Sequence, residues 1–229
     1  KNVAITAMTG CAAWNIRGKT LHSWAGIGTG DKTTEVLLKK IIKNTKIKEN
    51  WQKTDTLIID EVSMLTKNLF EKLNDIAQRI RNNPRPFGSM QIILLVDFYQ
   101  LPPVDNGNEK VSFCFESSIW GNCIDTIVHL TEIIRQTDPI LQKCLNEIRI
   151  GDCSEETEQI FKNCLEKKYS TDKESIIPTK IYSIKSKIKD INERELKALE
   201  TDIIKYDVKT KKEIKNKGKK IYNEESIDY

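Results

Sequence analysis

Three apolar runs without alternation mark the first part of the chain: Val3-Ala4-Ile5-Thr6, Thr56-Leu57-Ile58-Ile59 and Met90-Gln91-Ile92-Ile93-Leu94-Leu95-Val96. Runs of this kind read as strands buried on both faces, the pattern of a parallel sheet covered by helices. Between them the period changes. A small-residue helix begins near Cys11-Ala12-Ala13, and a second is predicted over Thr34 to Asn44. Leu65, Leu69, Leu73, Ile76 and Ile80 recur at helical spacing, giving a long helix with one face on the sheet. The stretch Asn82-Asn83-Pro84-Arg85-Pro86-Phe87-Gly88 stops it.

The pattern predicts one more strand over Thr126 to Leu130, then a helix from Pro139 to Ile150 that opens on proline and closes on Gly151. A helix from Glu155 to Lys168, a strand over Ile176 to Ser183 and a helix from Ile188 to Leu199 are expected next. Beyond Thr201 the residues are Lys, Asp, Glu and Asn with little core potential, and poor packing in isolation is expected there. The fold class that follows is α/β.

A length of 229 residues suits one large domain or one and a half small ones. The net charge of +4 is unevenly placed. Residues 1–164 hold 20 Lys and Arg against 20 Asp and Glu, while residues 165–229 hold 17 against 13. That basic end suits a polyanionic partner or a solvated lysine-rich surface. The six cysteines form no Cys-x-x-Cys pair, which disfavours a zinc site and favours a reducing compartment. No apolar run approaches the length of a membrane span, so no membrane partner is expected.

The chemistry concentrates where strands end, because ligands of parallel sheets sit outside the carboxyl ends of the strands. Asp60 and Glu61 follow the second run directly. The pair is compatible with a strand end meeting solvent. It also suits phosphate hydrolysis, Asp60 holding Mg²⁺ through water and Glu61 orienting or deprotonating the attacking water. Past the third run, Gln100 can bond a terminal phosphate and its water, on a loop stiffened by Pro102 and Pro103. Thr9 and Gly10 offer a hydroxyl and a close backbone approach to a phosphate at a turn into a helix, or form an ordinary βα turn. His22 and Ser23, near Lys19 and Trp24, can grip a strand backbone and stack on bases, or His22 and Trp24 can be structural. Arg135 can neutralise charge on a transferring phosphoryl group or lie free on the surface.

The order of Thr6-Ala7-Met8-Thr9-Gly10-Cys11-Ala12-Ala13, Thr20-Leu21-His22-Ser23 with Ala25-Gly26-Ile27-Gly28, Ile58-Ile59-Asp60-Glu61-Val62-Ser63-Met64, Asp97-Phe98-Tyr99-Gln100-Leu101-Pro102-Pro103-Val104, Phe113-Cys114-Phe115-Glu116-Ser117 and Leu130-Thr131-Glu132 with Arg135-Gln136 resembles the Pif-type DNA helicases, superfamily-one motors related to RecD. The resemblance covers roughly residues 2–200. It implies a RecA-like P-loop NTPase fold over residues 1–150, with a small wedge insertion at about 31–55. A helical linker at 151–175 and the beginning of a second motor domain with a lysine-rich tail at 176–229 would follow. The implied activity is ATP- and Mg²⁺-dependent movement 5′ to 3′ on single-stranded DNA and opening of DNA forks, in repair, recombination and telomere maintenance. A monomer in the nucleus is expected, with mitochondrion or viral factory as alternatives. By the same resemblance Asp60 is the Mg²⁺-associated acid, Glu61 the catalytic base, Gln100 the sensor of the γ-phosphate and Arg135 its stabilising arginine. Thr9, Gly10, His22 and Ser23 would line the DNA channel.

The sequence departs from the family at three places. The family's phosphate-binding loop is expected upstream of Lys1, and without it the residues 1–229 are not expected to turn over ATP. Val96 stands where the family has glycine, and Lys185 where it has asparagine. These departures keep a second reading open, an inactive or partial copy that acts at most as a single-stranded DNA-binding module.

Overall fold

The computed structural model describes residues 1–104, 112–166 and 179–199, and the backbone of residues 209–216 and 219–226. The chain divides into two compact units, Lys1–Glu166 and Lys167–Tyr229.

The first unit runs β1 (Val3–Ala7), α1 (Gly10–Asn15), β2 (Lys19–Thr20), α2 (Leu21–Ala25), α3 (Thr34–Lys43), α4 (Thr45–Lys53), β3 (Thr56–Asp60), α5 (Lys67–Arg81), β4 (Gln91–Leu94), α6 (Trp120–Cys123), α7 (Pro139–Ile150) and α8 (Glu155–Glu166). The sheet is parallel throughout, in the order β2-β1-β3-β4. Ala4 pairs with Leu57 and Leu57 with Ile92, which sets the two faces of the sheet. Thr6, Leu57 and Ile59 share one face and are fully buried. The apolar stripe of α5, from Leu69 through Leu73 and Ile76 to Ile80, belongs to the same core as Leu57 and Ile59. Thr66 starts that helix by accepting the Leu69 N–H at 3.1 Å, and Asn82 ends it in the left-handed conformation at φ 48°.

The other face differs from the doubly buried sheet that the apolar runs predict. Val3, Ile5, Ile93 and Leu95 stay exposed there, because register gathers them on a side that no described element fully covers.

The insertion is better packed than its charge suggests. Leu37 and Ile41 of α3 and Trp51 of α4 lie in the core, and the Trp51 ring sits 4.8 Å from that of Trp24. Helix α4 was hidden in a lysine-rich stretch whose apolar signal is only Ile47 and Trp51, one turn apart. Asn44 separates it from α3, accepting the Ile47 N–H at 3.3 Å.

Residues 126–130 form no strand. Ile127, Val128 and Leu130 are exposed and the last strand of the sheet is β4, so β-rich composition alone found no ladder partner.

In the second unit α9 (Lys185–Lys197) matches the expected helix, starting three residues early. Of the strand expected over 176–183, residues 176–178 lie outside the described residues and 179–183 form no strand. Past Thr201, β5 (Lys209–Asn216) and β6 (Lys219–Ser226) pair antiparallel. Regular structure there needs only a partner backbone, a requirement that the search for core periodicity does not see.

Candidate functional site

β3 delivers its two carboxylates to the carboxyl edge of the sheet. Asp60 Oδ1 accepts the Glu61 N–H at 3.0 Å. Glu61 itself adopts φ 58° and ψ 43°, the left-handed region that favours glycine. A side chain held there costs about 1–3 kcal/mol and persists only where its surroundings over-determine it. The surroundings are on either side. Met8 N–H donates to the Asp60 carbonyl at 3.1 Å, and Val62 N–H, in a buried 3-10 turn, donates to the Leu95 carbonyl at 3.2 Å. Asp60 Oδ2 and both Glu61 oxygens accept no hydrogen bond from the described residues. Both side chains are half-buried, open enough to meet a ligand.

The Met8 bond also brings the Thr9–Gly10 turn to the same edge. Thr9 caps α1, its Oγ1 accepting the Ala12 N–H at 3.2 Å. A Cβ on Gly10 would meet nothing within 4 Å, so this backbone is open to an approaching group.

Beyond β4 the Leu95 N–H still bonds the Ile59 carbonyl at 2.9 Å, carrying the strand tip alongside Asp60. Asp97 then organises the loop. Its Oδ1 accepts the Tyr99 N–H at 3.1 Å and Arg149 Nη2 at 2.9 Å, and its Oδ2 accepts Gln100 Nε2 at 3.1 Å. The Arg149 guanidinium also lies 5.3 Å from the Tyr99 ring centroid. Val96 takes no positive φ, so the glycine position of the family is occupied without left-handed strain. The Phe113–Phe115 motif packs on the same loop, the two rings 5.8 and 4.7 Å from Phe98.

His22 and Ser23 lie on α2, whose first turn is capped by Thr20 Oγ1 accepting the Ser23 N–H at 3.2 Å. Burial pushes the His22 imidazole below its ordinary pKa, with Asp31 pulling it partly back. Trp24 is core: it is buried against Trp51, leaving no face for a base. Gly26 closes the helix at φ 70°, and a Cβ there would fall 2.5 Å from Ile47 Cγ2, so glycine is what lets the insertion dock against α2.

The structure therefore brings Thr9, Gly10, Asp60, Glu61 and the Gln100 loop to one edge. For Arg135 it shows no contact with these residues. That side chain is exposed and has no hydrogen-bond or ion-pair partner among the described residues. Sequence reading missed Arg149, which holds Asp97 and Tyr99 from the last turn of α7. Its only signal was a basic residue at a helix C-terminus, and its partner is 52 positions away.

This order of motifs at one sheet edge has relatives. The PIF1-like helicase family matches residues 1–159, more than half of the chain. The chain belongs to the PIF1-like helicases. It is 41% identical over 208 residues to the ATP-dependent DNA helicase RRM3 of Saccharomyces cerevisiae, covering 90% of this chain and 28% of that protein. Over 161 residues it is 49% identical to the ATP-dependent DNA helicase PIF1 of Emericella nidulans, covering 70% of this chain and 22% of that protein. The chain thus spans about a quarter of the length of these relatives. Among solved structures it superposes on the Pif1 helicase of Candida albicans with a TM-score of 0.79 at 41% identity, covering 91% of this chain and 47% of that one. A Bacteroides Pif1 helicase in complex with ADP-AlF3 and single-stranded DNA matches at a TM-score of 0.66 and 28% identity, covering 95% of this chain and 51% of that one. The parallel sheet is the RecA-like sheet of these helicases.

Proposed function

We propose that the chain is part of a DNA helicase that couples ATP hydrolysis to movement 5′ to 3′ along single-stranded DNA and opens duplexes, in repair, recombination and telomere maintenance. The observation that carries this reading is Glu61, held left-handed beside Asp60 at the sheet edge and tied by backbone bonds to the strand tip that leads to Gln100. In this reading Glu61 takes the proton of the attacking water. Gln100, oriented by Asp97, positions that water and the terminal phosphate. Thr9 and Gly10 meet the DNA backbone at the same edge, so a strand and a nucleotide act on neighbouring residues.

Mg²⁺ fits Asp60, whose Oδ2 is unengaged among the described residues, because that ion takes one or two carboxylates and completes its shell with water and phosphate oxygens. Bound there with ATP, it would neutralise charge on the phosphates. A glycine-rich loop cradling those phosphates belongs to the family ahead of the Thr6–Ala13 motif. The open face bearing Val3, Ile5 and Ile93 is a place for such a segment to pack. Arg135, exposed and without a partner among the described residues, would stabilise the γ-phosphate in this reading. A monomer working in the nucleus is part of the same proposal.

The test is strand displacement by a longer chain in which a phosphate-binding loop is supplied ahead of residue 1. Forked duplexes with a 5′ single-stranded tail should open in the presence of ATP and Mg²⁺, and duplexes with only a 3′ tail should not. Opening from the 3′ tail alone would refute the polarity. Binding of DNA without opening of either would favour a single-stranded DNA-binding module.

A further inference from the structure

We propose that Lys40 of the insertion adds a contact to the DNA path expected along His22 and Ser23, neutralising one backbone phosphate at the cavity between α2 and the insertion. The inference rests on the DNA-motor reading and adds a role for the insertion, which would grip the strand as well as part a duplex.

The cavity measures 310 Å³ and is bounded by His22, Ser23 and Gly28 on one side and Lys40, Asn44 and Ile47 on the other. That size is at the lower end of cavities that hold small ligands, about 300–1,000 Å³. Its lining includes hydrogen-bond donors. Asn44 Oδ1 is taken by the Ile47 N–H, which leaves the amide nitrogen to donate outward from the protein's own bonding. Ser23 uses its backbone N–H on Thr20, and its hydroxyl has no partner among the described residues.

Lys40 supplies the charge. Its Nζ lies 3.6 Å from the point where a Cβ on Gly28 would stand, so the ammonium leans over a backbone that carries no side chain. No described carboxylate pairs with it. The other charges of the insertion are partly matched: Glu35 bonds Arg79 and Glu49 bonds Lys53. Residues 31–55 hold seven lysines against four carboxylates, although residues 1–164 as a whole hold 20 Lys and Arg against 20 Asp and Glu. The insertion therefore carries a net positive charge, as do residues 1–30 with three cations and no carboxylate. A compact ammonium with neighbouring hydroxyl and amide donors is the chemistry that takes a phosphodiester oxygen.

The experiment is equilibrium binding of a fluorescently labelled oligothymidylate to the chain, repeated from about 50 to 200 mM salt, the range over which phosphate contacts show. Lys40→Ala, Lys40→Arg and Lys39→Ala are measured beside the parent chain, with thermal midpoints to show that each folds. Lys40→Ala should make the plot of log affinity against log salt shallower by about 0.7, the loss of one single-strand phosphate contact. Lys40→Arg and Lys39→Ala should keep the parent slope. A parent chain that binds with a slope unchanged in Lys40→Ala would overturn this contact and leave the motor reading standing. An equal loss in Lys39→Ala would replace the contact by a diffuse field and overturn it as well. No binding by the parent chain would overturn both the contact and the reading beneath it.

Discussion

Trp51 joins the insertion to the rest of the unit, and its replacement by phenylalanine has a calculable cost. The indole is fully buried, its ring lies 4.8 Å from Trp24, and its Nε1–H donates to the Ala25 carbonyl at 3.1 Å. Trp51→Phe keeps an aromatic ring but removes the donor. Losing a net hydrogen bond costs about 0.5–1.5 kcal/mol, and leaving a buried acceptor unsatisfied raises that to about 1–3 kcal/mol. The smaller ring also leaves a void, and full truncation of a buried tryptophan costs about 3–5 kcal/mol, which bounds the total from above. The expected loss is therefore about 2–4 kcal/mol. In a domain of this size each kcal/mol moves the thermal midpoint by about 2–4 °C, so a drop of roughly 4–16 °C follows. Urea unfolding followed by far-ultraviolet circular dichroism should show a lower midpoint with an unchanged slope. A midpoint equal to that of the parent chain would refute the buried, hydrogen-bonded placement of Trp51.

Three further outcomes are expected. Glu61→Gly should stabilise the fold by up to about 1 kcal/mol by relieving the left-handed side chain, measured by urea unfolding; a destabilised variant would contradict the strain at φ 58°. The Asp97–Arg149 ion pair is half-exposed on its arginine side, so a double-mutant cycle of Asp97→Asn and Arg149→Met should return a coupling of only about 0.2–1 kcal/mol. A coupling of zero would release Arg149 from the loop. Burial lowers the His22 pKa on folding, so the unfolded chain binds more protons at mildly acidic pH and stability should fall as pH drops through and below the ordinary imidazole value. His22→Gln should flatten that decline between pH 7 and the onset of carboxylate titration, and an unchanged decline would exclude His22 as its source.

The elements that could be read from sequence are those whose signal is local. The stripe from Leu69 to Ile80 lies in α5, Leu65 falling ahead of the Thr66 cap, and Pro139 with Gly151 bounded α7 to the residue. Apolar runs located β1, β3 and β4, since a short continuous apolar run is a local signal of a strand. What the runs could not tell was whether both faces find a cover, and Val3, Ile5 and Ile93 do not find one. Thr126 to Leu130 failed for a related reason: strand composition is local, but a ladder needs a neighbour. At the site, Asp60 and Glu61 could be placed at a strand end and Gln100 on the loop beyond one, because β3 ends at Asp60 and β4 at Leu94, while their roles rest on the resemblance. The left-handed conformation of Glu61 was not legible, because a carboxylate gives no hint of it in sequence. Arg149 was missed because its partner is tertiary, and the placement of Lys40 over Gly28 is tertiary too. One reaches Asp97 across 52 positions, and the other faces a glycine turn from a helix that reads as solvated.

The measurement that tests the account most directly is DNA-stimulated ATP hydrolysis by a longer chain in which a phosphate-binding loop is supplied ahead of residue 1, with Glu61→Gln beside it. The account predicts hydrolysis that rises with single-stranded DNA and falls by about 10²–10⁴-fold in Glu61→Gln, the usual contribution of a general base, while nucleotide binding is retained. Hydrolysis by Glu61→Gln at the parent rate would contradict it.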